Sequence, residues 1–186
     1  AELHHIDYVN NPVEIAKNDN MVSINSCLQV DLLGQVVSDT IGLSQFSAVG
    51  GQVDFVRGAT MSKGGRSIIA MPSTARHGTV SRIVPLITEG SAITTPRNDV
   101  NYVVTEYGIA QLKGKTLKER AKELIKITHP KFRPFLMMEY KKRFGEVPFT
   151  AEEQRSFTSV VIDEVKEKIK QDRREIADKL KHALKN

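Results

Sequence analysis

Two adjacent glycines, Gly50 and Gly51, stand directly before a short segment of helical character. That segment has a small apolar face, and Asp54 lies in its first turn, where an acidic side chain suits the helix dipole. A tight glycine turn at the start of a helix leaves backbone N–H groups without intrahelical acceptors, and such groups can bind an anion. The pattern therefore indicates either a simple glycine turn or an anion site at this position.

Three further polar residues, Asn10, Arg76 and Glu106, follow or lie between segments that are predicted to be strands. In open α/β sheets ligands bind outside the carboxyl ends of the strands, so these side chains could converge on one crevice. Each also has a simpler interpretation: Asn10 as a turn or helix cap, Glu106 as a solvated carboxylate, and Arg76 as a surface cation. The sequence contains no Walker A motif, no dinucleotide-binding fingerprint and no spacing that argues for a Ser-His-Asp arrangement.

The predicted strands lie mainly before residue 106 and the predicted helices mainly after it. Gly34 divides two apolar runs and predicts a hairpin, and Thr116 with Glu119 has the spacing of a capping box. Short apolar strands joined by glycine-rich crossovers favour a layered α/β domain over a β-sandwich. The predicted strands cover 3–9, 21–33, 35–38, 67–71, 79–87 and 100–105. The predicted helices cover 12–16, 52–59, 109–112, 116–127, 130–144 and 150–184. A predicted loop covers 39–50.

The last part of the chain differs from the rest in its charge pattern. Thr150 and Glu153 repeat the capping-box spacing, and the predicted helix that follows carries one apolar stripe among many charged residues. We therefore expect a domain over residues 1–145 and a helical tail over residues 146–186 that packs on this domain or on a partner chain. The apolar stripe also makes a homodimer possible.

Composition places the chain among ordinary globular proteins. It has 186 residues, of which 40% are hydrophobic and 26% charged, enough for one domain with a substantial core. No apolar run is long enough to span a bilayer, and the first residues lack the pattern of a secretion signal. The single cysteine, Cys27, lies in an apolar run, which indicates a buried structural thiol and favours a cytoplasmic location. The predicted strand at the very start suggests a piece of a longer chain.

The net charge of +5 and the pI of about 9.3 point to an anionic partner. A phosphorylated small ligand and a nucleic acid both fit that charge. The basic residues are not gathered in one block, and the sequence has neither a nucleic-acid-binding signature nor the Cys and His spacing of a zinc site. We therefore expect no nucleic-acid partner, no membrane partner and no metal.

Five segments together resemble the C-terminal domain of the acetyl-CoA hydrolase/transferase family, and within it the 4-hydroxybutyrate and butyrate/acetate CoA-transferases. The resemblance covers about residues 6–144. It implies an α/β layered open sheet with flanking helices, of the NagB/RpiA type seen in CoA-transferases. The segments are YVNNPVEIAKNDNMVSINSCLQVDLLGQV, GGQVDFVRGA, GGRSIIAMPSTARHGTVSRIVP, VNYVVTEYGIAQLKGKTLKERA and HPKFRP.

The resemblance also implies a reaction. Enzymes of this class I CoA-transferase family move CoA between an acyl-CoA and a free carboxylate through a glutamyl-CoA thioester. Such nucleophilic catalysis replaces one difficult step by easier ones. CoA and acyl-CoA are then substrates, and no permanently bound cofactor is expected.

Particular residues take roles from the resemblance. Asn10 matches the asparagine whose side-chain amide donates to the oxyanion, and Gly51 matches the glycine whose backbone N–H is the second donor. Glu106, in VVTEYG, matches a second active-site carboxylate that assists the nucleophile. Ser47, Arg76 and the Gly50-Gly51 turn match positions near bound CoA, where a cation suits the phosphates.

The chain departs from the family pattern in one large respect. The nucleophilic glutamate of the family lies before the position that corresponds to residue 1, and the N-terminal half is missing. The resemblance thus implies a C-terminal domain that is inactive alone and needs the N-terminal domain of the same polypeptide. Two alternatives stay open: an acyl-CoA hydrolase of the same family, with water as the acceptor, and a basic binding module without enzymatic activity.

Overall fold

The structure is a computed structural model that describes residues 2–155 and the single positions 170 and 174. The chain divides into two compact units, 1–148 and 149–186, which are described separately. The first unit contains eleven strands within the described residues. In chain order these are β1 (Val22–Asn25), β2 (Gln29–Asp31), β3 (Val36–Val37), β4 (Thr40–Ile41), β5 (Ser44–Gln45), β6 (Arg66–Ala70), β7 (Thr74–Ala75), β8 (Val80–Ser81), β9 (Ile83–Val84), β10 (Tyr102–Thr105) and β11 (Gly108–Gln111).

The helices of this unit fall in two groups, one before β6 and one after β11. A single 3₁₀ turn, Pro130–Phe132, leads into the last helix, which ends at Gly145 in the left-handed conformation, with φ of 73°. The helices are α1 (Ile6–Val9), α2 (Pro12–Ala16), α3 (Gln52–Met61), α4 (Leu117–Lys126) and α5 (Arg133–Phe144).

The main sheet has four strands in the order β1-β6-β10-β11. The first three run parallel, and β11 returns antiparallel to β10. Ile69 of β6 lies opposite Val103 of β10, and both side chains are buried in the core. This α/β arrangement of an open sheet and helices confirms the predicted fold class.

Helix α3 determines where the glycine turn lies relative to this sheet. It packs on β1 and β6 and ends only a few residues before β6 begins. Its ten residues span about 15 Å, close to the length of the neighbouring strand. The N-terminus of α3 therefore lies near the carboxyl ends of the parallel strands.

Three smaller sheets are separate from the main sheet within the described residues. β2 and β3 form the predicted hairpin at Gly34, whose φ is +85°, and β9 joins β2 in parallel on the other side. The pairs β4–β5 and β7–β8 form two short hairpins. The first of these corrects the prediction that residues 39–50 form a loop.

Two elements have the wrong type in the prediction. Residues 3–9 were expected to form a strand, but the structure has helix α1 there, capped by the His5 side chain, which accepts a hydrogen bond from the Asp7 N–H. Residues 109–112 were expected to be helical, but most of them belong to β11, where Ala110 is buried and Ile109 is exposed. That alternation is typical of a strand with one buried face.

Two predicted strands are each divided into two. The run 21–33 supplies β1 to the main sheet and β2 to the second sheet, and the run 79–87 is divided between β8 and β9. A chain that leaves one sheet for another must bend, and neither run contains the glycine or proline that marks such a bend at its centre.

Cys27 is buried, and its Sγ lies 3.2 Å from Sδ of Met71. Burial raises the pKa of the thiol to about 12, so it stays protonated at neutral pH. The predicted structural role of this thiol agrees with its position. Among the described residues no helix has the length and apolar character needed to cross a membrane.

The second unit is described only in part. Residues 151–155 are helical, and the Thr150 N–H donates to Oε2 of Glu153 at 2.8 Å while the Glu153 N–H donates to Oγ1 of Thr150 at 3.3 Å. The predicted capping box at the start of the tail helix is therefore present. The residues of the predicted apolar stripe all lie outside the described residues, and its docking stays a prediction.

Candidate active site

Asn10 and Gly51 lie in contact although forty residues separate them in the chain. A Cβ placed on Gly51 would lie 2.8 Å from Nδ2 of Asn10, which is too close for any carbon. Only glycine therefore lets the Asn10 amide approach this point of the backbone. The structure thus brings together the two residues that the resemblance assigns as oxyanion donors.

The backbone N–H groups near Gly51 belong to the uncapped N-terminus of α3. Gly51 is the N-cap of this helix, and no side chain caps it. The first intrahelical bond runs from the Phe55 N–H to the Gly51 carbonyl at 3.1 Å, so the N–H groups before Phe55 have no acceptor in the helix. Within residues 2–155 neither the Gly51 N–H nor the Asn10 amide has a hydrogen-bond partner.

Two short helices carry Asn10 to this point. Asn10 ends α1, with its backbone N–H donating to the Ile6 carbonyl at 2.8 Å, and Asn11 caps α2 by accepting from the Val13 N–H at 2.9 Å. Helix α2 then packs on α3 so closely that a Cβ on Gly58 would lie 2.5 Å from Ile15. Asn10 therefore reaches the site from a helix end, and the predicted location at a strand end is wrong.

Glu106 follows β10 directly and is held by Ser73, which lies just beyond the end of the neighbouring parallel strand β6. The Ser73 N–H donates to Oε2 at 2.8 Å, and the Ser73 hydroxyl donates to Oε1 at 2.5 Å. Ser73 is fully buried, whereas Glu106 is exposed. The buried Ser73 thus fixes the carboxylate, which stays accessible to solvent.

The hydrogen bonds from Ser73 affect the pKa of this carboxyl. Partial burial raises the pKa of Glu106. The hydroxyl and the backbone N–H of Ser73, the backbone N–H of Glu106 and the charge of His129 lower this pKa, and together they outweigh burial. The pKa therefore lies below its usual value. Glu106 is a carboxylate at neutral pH.

The three remaining predicted positions lie on exposed loops. Ser47 and Gly50 belong to the segment between β5 and α3, and Gly50 has φ of +59°, a conformation that favours glycine. Arg76 lies at the tip of the β7–β8 hairpin, also with positive φ, and its carbonyl accepts from the Thr79 hydroxyl at 2.7 Å. Both loops adjoin the carboxyl edge of the main sheet, but no hydrogen bond or ion pair within residues 2–155 joins them to Asn10 or Glu106.

Ser73 is the residue that the sequence did not single out. A serine after a proline in a polar turn is a common feature of loops, and its hydroxyl has no local pattern that indicates its acceptor. One signal was present: Ser73 and Glu106 each follow a predicted strand, and parallel neighbours bring such positions together. Within the described residues no cluster of three His, Cys, Asp or Glu side chains is suited to a metal ion.

Comparison with known proteins gives one family. The sequence profile described as "Acetyl-CoA hydrolase/transferase C-terminal domain" matches residues 1–140. Over 144 residues the chain is 68% identical to the 4-hydroxybutyrate coenzyme A transferase of Clostridium kluyveri, covering 77% of this chain and 34% of that protein. Over 136 residues it is 33% identical to the acetyl-CoA hydrolase of Candida albicans, covering 72% and 25%.

A solved structure agrees with these matches. The crystal structure of RipA from Yersinia pestis superposes with a TM-score of 0.69 at 56% sequence identity, covering 74% of this chain and 31% of that one. The chain therefore spans about a third or less of the length of the relatives it matches.

Proposed function

The chain belongs to the acetyl-CoA hydrolase/transferase family, of which it carries the C-terminal domain, and from this premise we propose that it forms half of a CoA-transferase active site. The enzyme would move CoA between an acyl-CoA and a short-chain carboxylate of the 4-hydroxybutyrate, butyrate or acetate type. The single observation that supports this most is the proximity of the Asn10 amide to Gly51, since a Cβ on Gly51 would lie 2.8 Å from Nδ2 of Asn10.

The proposed reaction uses a glutamate from an N-terminal domain of the same polypeptide. Its carboxylate attacks the thioester carbonyl, a C–O bond forms, the C–S bond breaks and CoA leaves as the thiolate. The thiolate then attacks the glutamyl carbonyl, so that the acyl carboxylate leaves and a glutamyl-CoA thioester remains. An incoming carboxylate reverses these steps and departs as the new acyl-CoA.

Each of these steps passes through a tetrahedral centre with a negative oxygen. The Asn10 amide and the Gly51 N–H would donate to that oxygen, and the N-terminus of α3 adds a favourable potential. In support of this, neither the Asn10 amide nor the Gly51 N–H has another hydrogen-bond partner within residues 2–155. They would therefore need little reorganisation when the charge develops.

Glu106 would act from another side of the same crevice. Ser73 uses one acceptor position on each carboxylate oxygen, which leaves lone pairs on both oxygens for a further donor. Glu106 would orient the groups around the nucleophile and would not be the nucleophile itself. Its lowered pKa keeps it charged in this role.

The CoA chain would pass the loops that flank this crevice. The exposed Ser47 and the Gly50-Gly51 turn offer polar groups and an open backbone, and Arg76 offers a cation for the phosphates. Acyl specificity would depend mainly on the N-terminal half, because that half would form the other wall of the cleft.

The test is an assay of the full-length protein with acetyl-CoA and either 4-hydroxybutyrate or butyrate. We expect formation of the new acyl-CoA. The glutamyl-CoA thioester should be detected by mass spectrometry as the alcohol that borohydride forms at the glutamate, or as the hydroxamate that hydroxylamine forms, with release of CoA in each case. The 186-residue chain alone should show no turnover. No acyl exchange by the full-length protein with any short-chain carboxylate would contradict the proposal.

A second candidate is an acyl-CoA hydrolase, and the similarity to the acetyl-CoA hydrolase of Candida albicans favours it. The same oxyanion donors would then serve attack by water on the acyl or glutamyl intermediate. Release of free CoA at the same rate with and without a carboxylate acceptor would indicate the hydrolase.

A further inference from the structure

A basic cavity of about 250 Å³ lies between the loop before β10 and the turn after β11. We call it the basic cavity. Four cationic side chains line it, together with Asn98, and no carboxylate is among its lining residues. The cations are Arg97, Lys113, Lys115 and Arg120.

This cavity lies at the opposite end of the β10–β11 pair from the candidate active site. In the antiparallel pair β10–β11, Tyr102 lies opposite Gln111 at one end and Thr105 lies opposite Gly108 at the other. Glu106 follows the second end, whereas Arg97 and Lys113 adjoin the first. The basic cavity is therefore a separate site.

Arg120 forms the floor of the cavity. It is only 6% exposed, and its guanidinium donates to the carbonyls of Leu33 at 2.8 Å, Leu112 at 2.8 Å and Arg97 at 2.7 Å. These three bonds fix the side chain but do not neutralise it, because all three acceptors are backbone carbonyls. One N–H on each terminal nitrogen is left for another acceptor.

The other cations add to this positive charge. Lys115 lies 3.4 Å from Glu123, whereas the side chains of Arg97 and Lys113 have no ion-pair partner within residues 2–155. Burial lowers the pKa of Arg120, the neighbouring charge of Arg97 lowers it further, and the Asp31 carboxylate offsets part of this effect, so that the pKa stays below its usual value. A multiply charged anion in the cavity would relieve this repulsion and would meet donors that are already oriented.

We propose that the basic cavity binds a phosphate group of a small molecule. The fixed guanidinium, two cations without ion-pair partners and the Asn98 amide form a suitable donor set for phosphate oxygens. Free phosphate or pyrophosphate and the phosphorylated end of coenzyme A present this same chemistry. The inference does not depend on the proposed transferase activity.

The test is calorimetric titration of the 186-residue chain with pyrophosphate at low ionic strength. We expect saturable binding of one equivalent, with amide NMR shifts at Asn98 and Gly114 and none at Gly51. Lys113→Gln and Arg97→Gln should each weaken binding by about tenfold, as expected when one charge-assisted contact is lost. Arg120 is left unchanged in these variants because its loss would leave three backbone carbonyls without donors.

Lys141→Gln is the matched control, because Lys141 is exposed on α5 and does not line the cavity. It removes the same charge and should leave pyrophosphate affinity unchanged. Equal weakening in this control, no saturable binding, or shifts centred on Gly51 would each overturn the proposal. Titrations with coenzyme A and dephospho-coenzyme A identify the source. Tighter, Lys113-dependent binding of coenzyme A assigns the cavity to its 3′-phosphate, and equal, Lys113-dependent binding of the two assigns it to the diphosphate that both carry. Binding of pyrophosphate but of neither nucleotide assigns it to free phosphates.

Discussion

The ten-residue helices α3 and α4 begin in opposite ways. At the start of α4 the Thr116 hydroxyl accepts from the Glu119 N–H at 3.3 Å, and the Thr116 N–H donates to Oε2 of Glu119 at 2.8 Å. At the start of α3 the N-cap is Gly51, which has no side chain that could accept such a bond. One helix closes its N-terminus with its own residues, and the other leaves it open.

The difference indicates two uses of the same local chemistry. A capping box stabilises a helix, so its absence at α3 gives up stability that a serine or threonine would supply. In return the N–H groups of α3 stay free, and the missing Cβ of Gly51 makes room for Asn10. We interpret the open helix start as the proposed oxyanion site and the closed one as purely structural, and four variants test this contrast.

Asn10→Ala in the full-length enzyme should have the largest effect. It removes one of two proposed oxyanion donors, and loss of such a donor lowers kcat by about 10²–10³-fold, which corresponds to about 2.7–4 kcal/mol. The free energy of unfolding should change little, because the Asn10 amide has no partner within residues 2–155. Steady-state kinetics and thermal unfolding measure the two quantities.

Asn11→Ala is the matched control for this variant. The Asn11 side chain caps α2 by accepting from the Val13 N–H, so its loss should lower the free energy of unfolding by about 1 kcal/mol while kcat stays near the wild-type value. If Asn10→Ala retained full turnover, the oxyanion assignment would be wrong and the open start of α3 would need another explanation.

Gly51→Ala should reduce turnover by about 10²-fold, because a misplacement of about 1 Å near a reacting centre has effects of this size. The φ of −90° at Gly51 is allowed for alanine, so the protein should fold. The new Cβ would instead displace the Asn10 amide, from which it would lie 2.8 Å away.

A double-mutant cycle distinguishes this mechanism from a general disturbance of α3. Once Asn10 is alanine, the Cβ at position 51 has no amide to displace, so Gly51→Ala should add little further loss. Additive losses in the double variant would show that Gly51→Ala acts independently of Asn10.

Ser73→Ala should shift the pH dependence of kcat/KM. It should reduce turnover by less than Asn10→Ala and Gly51→Ala do. It removes the hydroxyl that donates to Oε1 of Glu106 and keeps the backbone N–H bond to Oε2. Because the wild-type pKa of Glu106 is lowered, the ionised form persists as the pH falls until this pKa is reached. In the variant the pKa rises, so the acidic limb of kcat/KM should shift to higher pH.

The control for Ser73 is Ser81→Ala. The Ser81 hydroxyl donates to the Ile83 carbonyl at 2.6 Å and has no bond to Glu106, so the acidic limb should stay in place. An unchanged pH profile in Ser73→Ala would mean that Glu106 does not control the measured ionisation.

The contrast between the two helices could be predicted from sequence because its signals are local. Thr116 with Glu119, and two glycines before an apolar-periodic run, each specify a helix start within a few residues. The pairing of distant segments could not be predicted in this way. Residues 109–112 lie mostly in a strand because β10 pairs with them, whereas residues 3–9 pair with no strand in the described part of the chain.

The candidate site shows the same division between local signals, which the sequence carries, and tertiary contacts, which it does not. The residue types at Asn10, Gly51 and Glu106 indicated polar chemistry, but only the resemblance to a family assigned their roles. The contact between Asn10 and Gly51 depends on α2 packing against α3, and the bond between Ser73 and Glu106 depends on two parallel strands being neighbours. Both are tertiary facts that no spacing along the chain contains.

Thr116→Ala should have the smallest effect on activity and a clear effect on stability. The loss of an N-cap hydroxyl lowers the free energy of unfolding by about 1 kcal/mol, which for a chain of this length lowers Tm by about 2–4 °C. Turnover should not change, because Thr116 follows the end of β11 that lies away from Glu106, and its side chain bonds only Glu119 within the described residues. Calorimetry measures the change in Tm, and a kinetic assay measures turnover.

Thr116→Ser keeps the hydroxyl and should restore most of the lost stability, which separates the cap from a general packing change. The pH gives a second check, because the backbone N–H and the hydroxyl of Thr116 lower the pKa of Glu119. The ionised form of Glu119 carries the reciprocal bond, so the stability difference between wild type and Thr116→Ala should be full at neutral pH and should narrow as the pH falls through that lowered pKa. A loss of turnover in Thr116→Ala equal to that in Gly51→Ala would contradict the contrast, since the closed helix start would then matter to catalysis as much as the open one.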